Sequence, residues 1–359
     1  MFSIQYSVFS NAVNDALTEY QTLRARVRAA LREDLREEEF GVLALEVSAF
    51  QRRWNEPYAR FCAMRPESRT WQEIPAVPQS AFKRSRLSIA PHAVTKTFRT
   101  SGTTGEGYGE HHFIDMQLYD AAILSGWNRL LLPEAVPVLL TPKPDAAPHS
   151  SLAHMMGVLA RERGRDQAIW LIDANGTLNL ERFIAAMRVA HVANRPVALL
   201  GTALAFLNLF EQLSARRFVL PPGSYALETG GYKGSGRDIP KTELYAKFSQ
   251  YLGLAADEVI NEYGMTELSS QFYTRGLGQP HTAGPWLRAL VIDPETGAEV
   301  AVGSAGVLRI FDLANLGSVL AIETRDLAIR REKGFELLGR DPAALPRGCS
   351  RAADEMLNA

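Results

Sequence analysis

The amino-acid sequence predicts an α/β protein with a buried parallel sheet, preceded by helices and followed by a β-rich segment. From about residue 112 to 265, short apolar runs alternate with helical segments of 13–18 residues, which is typical of strand–helix–strand crossover units. The first 65 residues or so have a helical period, and short strand-like runs follow residue 285. The 359 residues, 46% of them hydrophobic, suffice for two or three domains and a large core.

The N-terminal part is predicted to begin with an amphipathic helix. Its apolar residues recur at spacings of three and four, which places them on one stripe of a helix. The stripe consists of Val13, Leu17, Tyr20, Leu23, Val27 and Leu31. A connection containing three prolines follows, and a strand is expected over 94–99.

The central part contains the alternating elements. Helices are expected over 115–132, 151–163, 179–192, 203–215 and 240–252. Strands are expected over 137–140, 168–172, 197–200, 225–227 and 258–260. Ligands of open parallel sheets bind outside the carboxyl ends of the strands, so the sequence places a binding site at that edge.

The C-terminal part is predicted to be rich in short strands. They are expected over 290–292, 307–311, 319–322, 328–330 and 335–338. The segment 293–297 (DPETG) is expected to form a hairpin turn leading to a further strand over 298–302. The expected domains are therefore 1–285 for the helices and the α/β core, 286–340 for a β-rich subdomain, and 341–359 for a tail.

Charge and cysteine content exclude several classes of function. A formal net charge of −1 argues against a general nucleic-acid or anionic-membrane binder, which would carry a basic excess. Two cysteines, Cys62 and Cys349, cannot form a disulfide framework or a cysteine-rich zinc site. The first residues lack a secretory-signal pattern, and the most apolar run, 196–210, is 15 residues long, short of the ~20 that span a bilayer. We expect a cytoplasmic protein without an integral membrane segment.

The first motif with chemical content is Thr100-Ser-Gly-Thr-Thr-Gly-Glu-Gly107, directly after a predicted strand. Its hydroxyls and backbone N–H groups are suited to surround phosphate oxygens. No lysine follows in the pattern of the nucleotide-binding P-loop. The alternative interpretation is a tight serine- and glycine-rich turn between two strands.

The second motif, Asn261-Glu-Tyr-Gly-Met-Thr-Glu267, lies where a predicted strand ends. A tyrosine can stack on a purine, the Thr266 hydroxyl can bind a phosphate, and the Glu267 carboxylate is a hard oxygen ligand for Mg²⁺. The alternative interpretation, which this segment taken alone favours, is a loop capped by a threonine.

Together with Thr324-Arg-Asp326, these motifs resemble in order and spacing the core motifs of the adenylate-forming superfamily, which includes acyl-CoA synthetases, luciferases and adenylation domains. A narrower resemblance, to the acyl-protein synthetase (LuxE) family, extends over nearly the whole chain. It rests on the segments 150–155 (SSLAHM), 228–234 (ETGGYKG), 262–273 (EYGMTELSSQFY) and 347–350 (RGCS).

The superfamily resemblance implies the N-terminal-domain fold of these enzymes, ATP and Mg²⁺ as cofactors, and a set of nucleotide-binding residues. Thr266 is implied at the α-phosphate and Glu267 at Mg²⁺. The remaining residues implied around the nucleotide are Ser101, Gly102, Thr103, Thr104 and Gly105 at the phosphates, Gly230, Gly231 and Tyr263 at the adenine, Asp326 at the ribose, and Arg340 near the ribose and phosphate.

The sequence departs from the superfamily in two ways. Only 19 residues follow Arg340, and no lysine occurs after Lys333, whereas most members carry a small mobile C-terminal domain with a catalytic lysine. Lys233 is a hypothetical substitute for that cation, although an exposed loop lysine is an equal alternative. The resemblance to the LuxE family also implies that Cys349, on a tail expected to be mobile, accepts the acyl group as a thioester.

The implied function is ATP-dependent activation of a small carboxylic acid, a fatty acid by resemblance, to acyl-AMP. The acyl group is then expected to pass to Cys349 and to a partner of the acyl-CoA-reductase type. His154 is a weaker candidate for contact with the acid, and a structural histidine is equally consistent with its position. The alternatives are an acyl- or aryl-CoA (or carrier-protein) ligase in which Cys349 is incidental, and a non-catalytic nucleotide-binding module.

Overall fold

The computed structural model describes residues 2–100, 107–162, 167–173, 175–230 and 239–340. They divide into two compact units. The first unit contains the described residues of the ranges 1–125, 265–270 and 283–359, and the second contains those of 126–264 and 271–282. The C-terminal β-rich segment therefore belongs to the same unit as the N-terminal helices. The predicted mixed α/β fold class is confirmed.

The first unit combines helices with mainly antiparallel strands. Its helices are α1 (Phe2–Ala30), α2 (Glu37–Trp54), α3 (Glu56–Cys62) and α4 (Ala81–Arg84). Its strands are β1 (Val77–Pro78), β2 (Lys96–Arg99), β3 (Glu110–Phe113), β10 (Leu287–Ile292), β11 (Ala305–Asp312), β12 (Ala321–Arg330) and β13 (Phe335–Arg340). Along α1, the apolar stripe predicted from the sequence is buried at Tyr20, Leu23 and Val27.

A five-stranded sheet forms around β12. The strand order is β1-β12-β11-β10, and β13 also pairs with β12. The strands predicted over 319–322 and 328–330 are one continuous strand of ten residues. That prediction was wrong because the polar residues between the two apolar runs alternate across the pleat of one strand.

The predicted hairpin after β10 is also only partly correct. The turn forms, since Gly297 N donates to Asp293 O at 2.8 Å. The segment 298–302 is not a strand, however, and meets β10 through a single bridge between Ile292 and Glu299. β10 pairs instead with the longer and more apolar β11, which offers a continuous ladder of hydrogen bonds.

A two-stranded antiparallel hairpin, β2–β3, borders the segment 101–106, which lies outside the described residues. Lys96 pairs with Phe113 and Arg99 with Glu110. Two further hydrogen bonds extend the hairpin, from Thr100 N to Gly109 O at 2.9 Å and from Gly109 N to Thr100 Oγ1 at 2.8 Å. The two ends of the Ser/Thr/Gly segment are thus joined at its base.

The second unit contains the predicted crossover units. After α5 (Gln117–Asn128), in which the chain passes from the first unit to the second, its helices are α6 (Ser151–Glu162), α7 (Leu180–Val192), α8 (Ala203–Leu213) and α9 (Lys241–Leu252). Its strands are β4 (Val136–Leu140), β5 (Ile169–Trp170), β6 (Val197–Thr202), β7 (Tyr225–Thr229), β8 (Val259–Tyr263) and β9 (Phe272–Arg275). The five predicted strands and five predicted helices of the central part are confirmed within a few residues at each end.

These strands form one sheet in the order β5-β4-β6-β7-β8-β9. The first five are parallel and β9 is antiparallel to β8. On one side of this sheet, Phe206, Phe210 and Phe248 pack with ring centroids 4.7–6.3 Å apart. Full burial of each such side chain contributes about 1.5–3 kcal/mol. The packing of α8 and α9, which carry these rings, therefore stabilises the sheet. Among the described residues, no helix has the length and apolar character needed to cross a membrane.

Candidate functional site

The structure describes seven of the residues predicted for the site. In the first unit these are Thr266, Glu267, Asp326 and, for its backbone, Arg340; in the second they are Gly230, Tyr263 and His154. The others lie outside the described residues: Ser101, Gly102, Thr103, Thr104, Gly105, Gly231, Lys233 and Cys349.

The central contact of the first unit joins the β2–β3 hairpin to Thr266. His111, on β3, lies 2.9 Å through its Nδ1 from the carbonyl oxygen of Thr266. His111 follows Gly109, the residue that closes the base of the Ser/Thr/Gly segment, by two positions. The structure therefore brings the border of the first motif and the Thr–Glu pair of the second motif together within one unit.

Glu267 is held at both its side chain and its backbone. Gln79 Nε2 donates to Glu267 Oε1 at 2.9 Å, and Asn315 Nδ2 donates to Glu267 O at 2.9 Å. The backbone of Gln79 is itself tied to β12, since Gln79 N donates to Glu323 O at 2.9 Å. Glu267 is only 3% exposed, so these contacts set the direction of its carboxylate.

A buried carboxylate fixes the residues that follow Glu267. Asp312, at the end of β11, accepts hydrogen bonds from Ser269 N at 2.9 Å and from Ser270 N and Oγ at 2.8 Å. Complete burial raises the pKa of Asp312 to about 6, and the hydrogen bonds partly offset that rise. Ser269 Oγ also donates to Asn315 Oδ1 at 2.6 Å. The chain is thereby pinned immediately after the Thr266–Glu267 pair.

Asp326 and Arg340 are cross-strand neighbours. They are paired in the antiparallel register of β12 and β13, next to an irregularity at Leu327 and Ala328. Asp326 is buried, with 8% of its surface exposed, and its backbone N donates to Thr324 Oγ1 at 3.1 Å. Two residues predicted to approach a ribose are thus adjacent in this sheet.

In the second unit, Gly230 and Tyr263 lie at the carboxyl edge of the parallel sheet. Thr229 of β7 is paired with Glu262 of β8. Gly230 directly follows the end of β7, and Tyr263 is the last residue of β8. Gly230 has φ +69°, a left-handed conformation that favours glycine. The Tyr263 ring is 7% exposed, with its centroid 6.2 Å from those of Phe272 and His281.

The glycine of the second motif is required by a close approach. A Cβ on Gly264 would lie 2.3 Å from Glu262 Oε1, far inside contact distance. Glu262 cannot move aside freely, because it is 5% exposed and Thr229 Oγ1 donates to its carboxylate. Position 264, between the tyrosine and the threonine of this motif, therefore accommodates only glycine.

His154 occupies the first part of α6. Ser150, which begins the segment resembling the LuxE family, caps this helix by accepting a hydrogen bond from Ala153 N at 3.1 Å. His154 is half-buried, and its own backbone N donates to Ser150 O at 3.1 Å. Contact of His154 with a substrate stays a prediction.

The buried glutamates at the sheet edge make stability depend on pH. Burial raises the pKa of Glu262 and of Glu228 to about 7, from an ordinary value near 4.5. The folded protein therefore binds these protons more tightly than the unfolded chain, and stability falls as pH rises from about 4.5 to about 7.

We expect Glu262→Gln to flatten this fall, because a glutamine stays neutral at every pH. Thermal unfolding is measured at pH 5 and pH 8. Between these pH values the melting temperature of the variant is expected to fall less than that of the wild type. Glu243→Gln, an exposed position at the start of α9, is the matched control and keeps the wild-type pH dependence. An identical pH dependence in wild type and Glu262→Gln would contradict the assignment.

Sequence reasoning missed His111, Gln79 and Asn315. The sequence does contain a signal for His111. His111 lies on the same face of β3 as Phe113 and opposite Phe98 of β2, and all three are buried. A buried histidine on a strand needs a polar partner. Gln79 and Asn315 carry no comparable signal, since Gln79 lies in a turn after the short strand β1 and Asn315 is the last residue of a short 3-10 helix, neither of which shows a polar pattern.

Comparison with known proteins supports the fold. No family model matches the chain, and no curated protein matches it. An open conformation of 2-hydroxyisobutyryl-CoA ligase, in complex with 2-HIB-AMP and CoA, is similar with a TM-score of 0.62 and 14% identity, covering 88% of this chain and 79% of that chain.

Two further solved structures are similar over a smaller share. ATP-bound MatB from Rhodopseudomonas palustris has a TM-score of 0.51 and 16% identity, covering 69% of this chain and 48% of MatB. The luciferase-like enzyme from the nonluminescent mealworm Zophobas morio has a TM-score of 0.50 and 14% identity, covering 70% and 59%. The chain thus spans about half the length of MatB. At these identities the likeness shows the fold of adenylate-forming enzymes.

Proposed function

We propose that the protein activates a carboxylic acid with ATP, forming an acyl-adenylate and pyrophosphate. The observation that carries this proposal is the 2.9 Å contact between His111 Nδ1 and Thr266 O, which joins the border of the Ser/Thr/Gly segment to the Thr266–Glu267 pair. The fold of adenylate-forming enzymes supports it, as does the order of the three motifs along the chain.

In the proposed reaction an oxygen of the substrate carboxylate attacks the α-phosphorus of ATP. A new oxygen–phosphorus bond forms, the bond between the α-phosphorus and the bridging oxygen breaks, and pyrophosphate leaves with that electron pair. Because two anions approach each other, the site must supply hydrogen-bond donors and positive charge. Thr266 is assigned to the α-phosphate, with Ser101, Gly102, Thr103, Thr104 and Gly105 at the other phosphates.

Glu267 fits a role as a magnesium ligand. Mg²⁺ commonly takes one or two carboxylates together with substrate phosphates and water, and when bound it would neutralise phosphate charge. In the described part of the chain, no group of three or more His, Cys, Asp or Glu side chains is arranged to hold a metal ion. One carboxylate held in direction by Gln79 is consistent with an ion that arrives with the nucleotide.

The remaining nucleotide contacts are assigned by resemblance. Tyr263, Gly230 and Gly231 are assigned to the adenine. Asp326 is assigned to the ribose hydroxyls and Arg340 to the ribose and phosphate, which agrees with their pairing on adjacent strands. Lys233 is assigned the role of the cation near the reacting phosphate. Pyrophosphate exchange that is undiminished in a Lys233→Ala variant would contradict that last assignment.

The finer proposal is an acyl-protein synthetase acting on a fatty acid. The Cys349 thiolate attacks the acyl carbon of the adenylate, a carbon–sulfur bond forms, and AMP leaves, giving a thioester on the protein. The acyl group then passes to a partner of the acyl-CoA-reductase type. The resemblance of residues 347–350 (RGCS) to the LuxE family supports this step.

A second candidate is an acyl- or aryl-CoA ligase without a covalent acyl-enzyme. The similarity to a CoA ligase solved in complex with CoA favours it. A non-catalytic nucleotide-binding module is the remaining candidate, and the presence of Thr266, Glu267 and Asp326 together argues against it.

One experiment separates these three. The protein is incubated with ATP, Mg²⁺ and a panel of labelled acids, short, long and aromatic, and pyrophosphate exchange is measured for each. Label that stays on denatured protein and is released by hydroxylamine supports the acyl-protein synthetase. Label that appears only on added coenzyme A supports the ligase. Absence of exchange with every acid contradicts acid activation.

A further inference from the structure

His111 is enclosed by aromatic rings and is 1% exposed. Its ring centroid lies 4.1 Å from that of Phe113 and 5.5 Å from that of Phe82. A polar side chain in such surroundings costs free energy unless it is hydrogen-bonded. The contact of its Nδ1 with Thr266 O, 2.9 Å long, meets that requirement, although the two residues are 155 positions apart in the sequence.

The partner atom determines the form of the imidazole. A carbonyl oxygen can only accept, so Nδ1 must carry the hydrogen. Burial lowers the pKa of His111 to about 3, which keeps the ring neutral and leaves the lone pair on Nε2. His111 is thus a fixed neutral donor rather than a group that gives up or takes a proton near neutral pH.

The peptide that receives this bond is the one that carries the proposed chemistry. Thr266 O is held by His111, the next residue's carbonyl by Asn315, and the Glu267 carboxylate by Gln79. Asn315 and Gln79 act on Glu267, whereas His111 acts on the backbone of Thr266.

We propose that His111 is a positioning residue, whose Nδ1–H group fixes the Thr266 peptide so that Thr266 and Glu267 face the nucleotide together. This role rests on the proposed function, because it acts through residues assigned to the α-phosphate and to Mg²⁺. Small displacements of positioned groups lower rates by up to ~10²-fold. Loss of the donor therefore lowers the turnover of acid activation more than it changes the KM for ATP.

Three substitutions test the donor specifically. In His111→Asn the amide Nδ2 occupies the position of Nδ1 and can donate to Thr266 O. In His111→Gln the amide is one carbon further out, and in His111→Leu no donor is present. We expect about a 10- to 100-fold loss of kcat in pyrophosphate exchange for the Leu and Gln variants, and at least partial rescue in the Asn variant.

His112→Asn is the matched control, because His112 lies on the same strand and its Nδ1 contacts Thr97 Oγ1 at 3.0 Å instead. It is expected to retain wild-type exchange. Where the Leu variant does not fold, the Asn and Gln pair carries the comparison, with melting temperatures measured for both.

The outcomes distinguish this inference from the proposed function. If the wild type exchanges pyrophosphate and all three His111 variants match it, or all three lose activity equally, the positioning role is overturned and acid activation stands. Loss of a limb of the pH–rate profile in the Asn variant would show that His111 titrates, which also overturns it. If the wild type exchanges with no acid, the proposed function fails and this role fails with it.

Discussion

Replacing Cys349 with serine is expected to abolish the retention of labelled acyl groups on the protein while pyrophosphate exchange continues at the wild-type rate. A hydroxyl without an adjacent base is a poor nucleophile at neutral pH, whereas a thiol supplies the thiolate that attacks the adenylate. The measurement is label retained after denaturation, its release by hydroxylamine, and exchange in the same preparation.

Cys62 provides the matched control for this experiment. It lies at the end of α3 with 1% of its surface exposed, and burial raises the pKa of its thiol. A thiol in that setting is unreactive, so Cys62→Ala is expected to keep the full label. Label that persists in Cys349→Ser, or that disappears in Cys62→Ala, would remove the acyl-cysteine step while leaving acid activation in place.

The second large effect is expected at Glu267. Changing Glu267 to Gln removes one negative charge while preserving the shape of the side chain. In the wild type, Gln79 Nε2 donates to Glu267 Oε1 at 2.9 Å, and the amide oxygen of the variant can still accept this hydrogen bond. Removal of a preorganised electrostatic group commonly lowers a rate by about 10²–10³-fold. We therefore expect pyrophosphate exchange to fall by that order, with a higher Mg²⁺ concentration needed for half-maximal rate.

Glu336→Gln serves as the control for Glu267. Glu336 lies on β13 and pairs with Arg331 on the exposed surface, where an ion pair contributes little. Exchange and Mg²⁺ dependence should equal those of the wild type. An unchanged rate in Glu267→Gln, with the melting temperature also unchanged, would place the proposed magnesium ligand elsewhere.

Local patterns were sufficient to predict the second unit. Its helices carry apolar faces at the helical period and its strands are short apolar runs. The secondary structure of each segment can therefore be predicted from its own residues. The failures occurred where local pattern and pairing disagree. β12 was divided in two because Thr324 and Asp326 interrupt its apolar residues, yet both are buried. Residues 298–302, the second half of the predicted hairpin, do not pair along β10, because β11 pairs with β10 instead.

The two motifs of the candidate site could be recognised because their order and spacing, together with Thr324-Arg-Asp326, resemble the core motifs of the adenylate-forming superfamily. Their supporting contacts could not. His111 meets Thr266 across 155 positions and Gln79 meets Glu267 across 188. Neither pairing leaves a periodic trace in the sequence.

Patterns along the sequence predicted most of the helices and strands, though not the continuity of β12, and they identified the residue types available for phosphate and metal chemistry. Three contacts could not be predicted in this way: His111 of β3 with Thr266, Gln79 with the Glu267 carboxylate, and Asp326 beside Arg340 in β12 and β13. The physical reason is that element type follows from interactions a few residues apart, whereas these contacts arise when distant segments bury their apolar faces together and must then satisfy their polar groups.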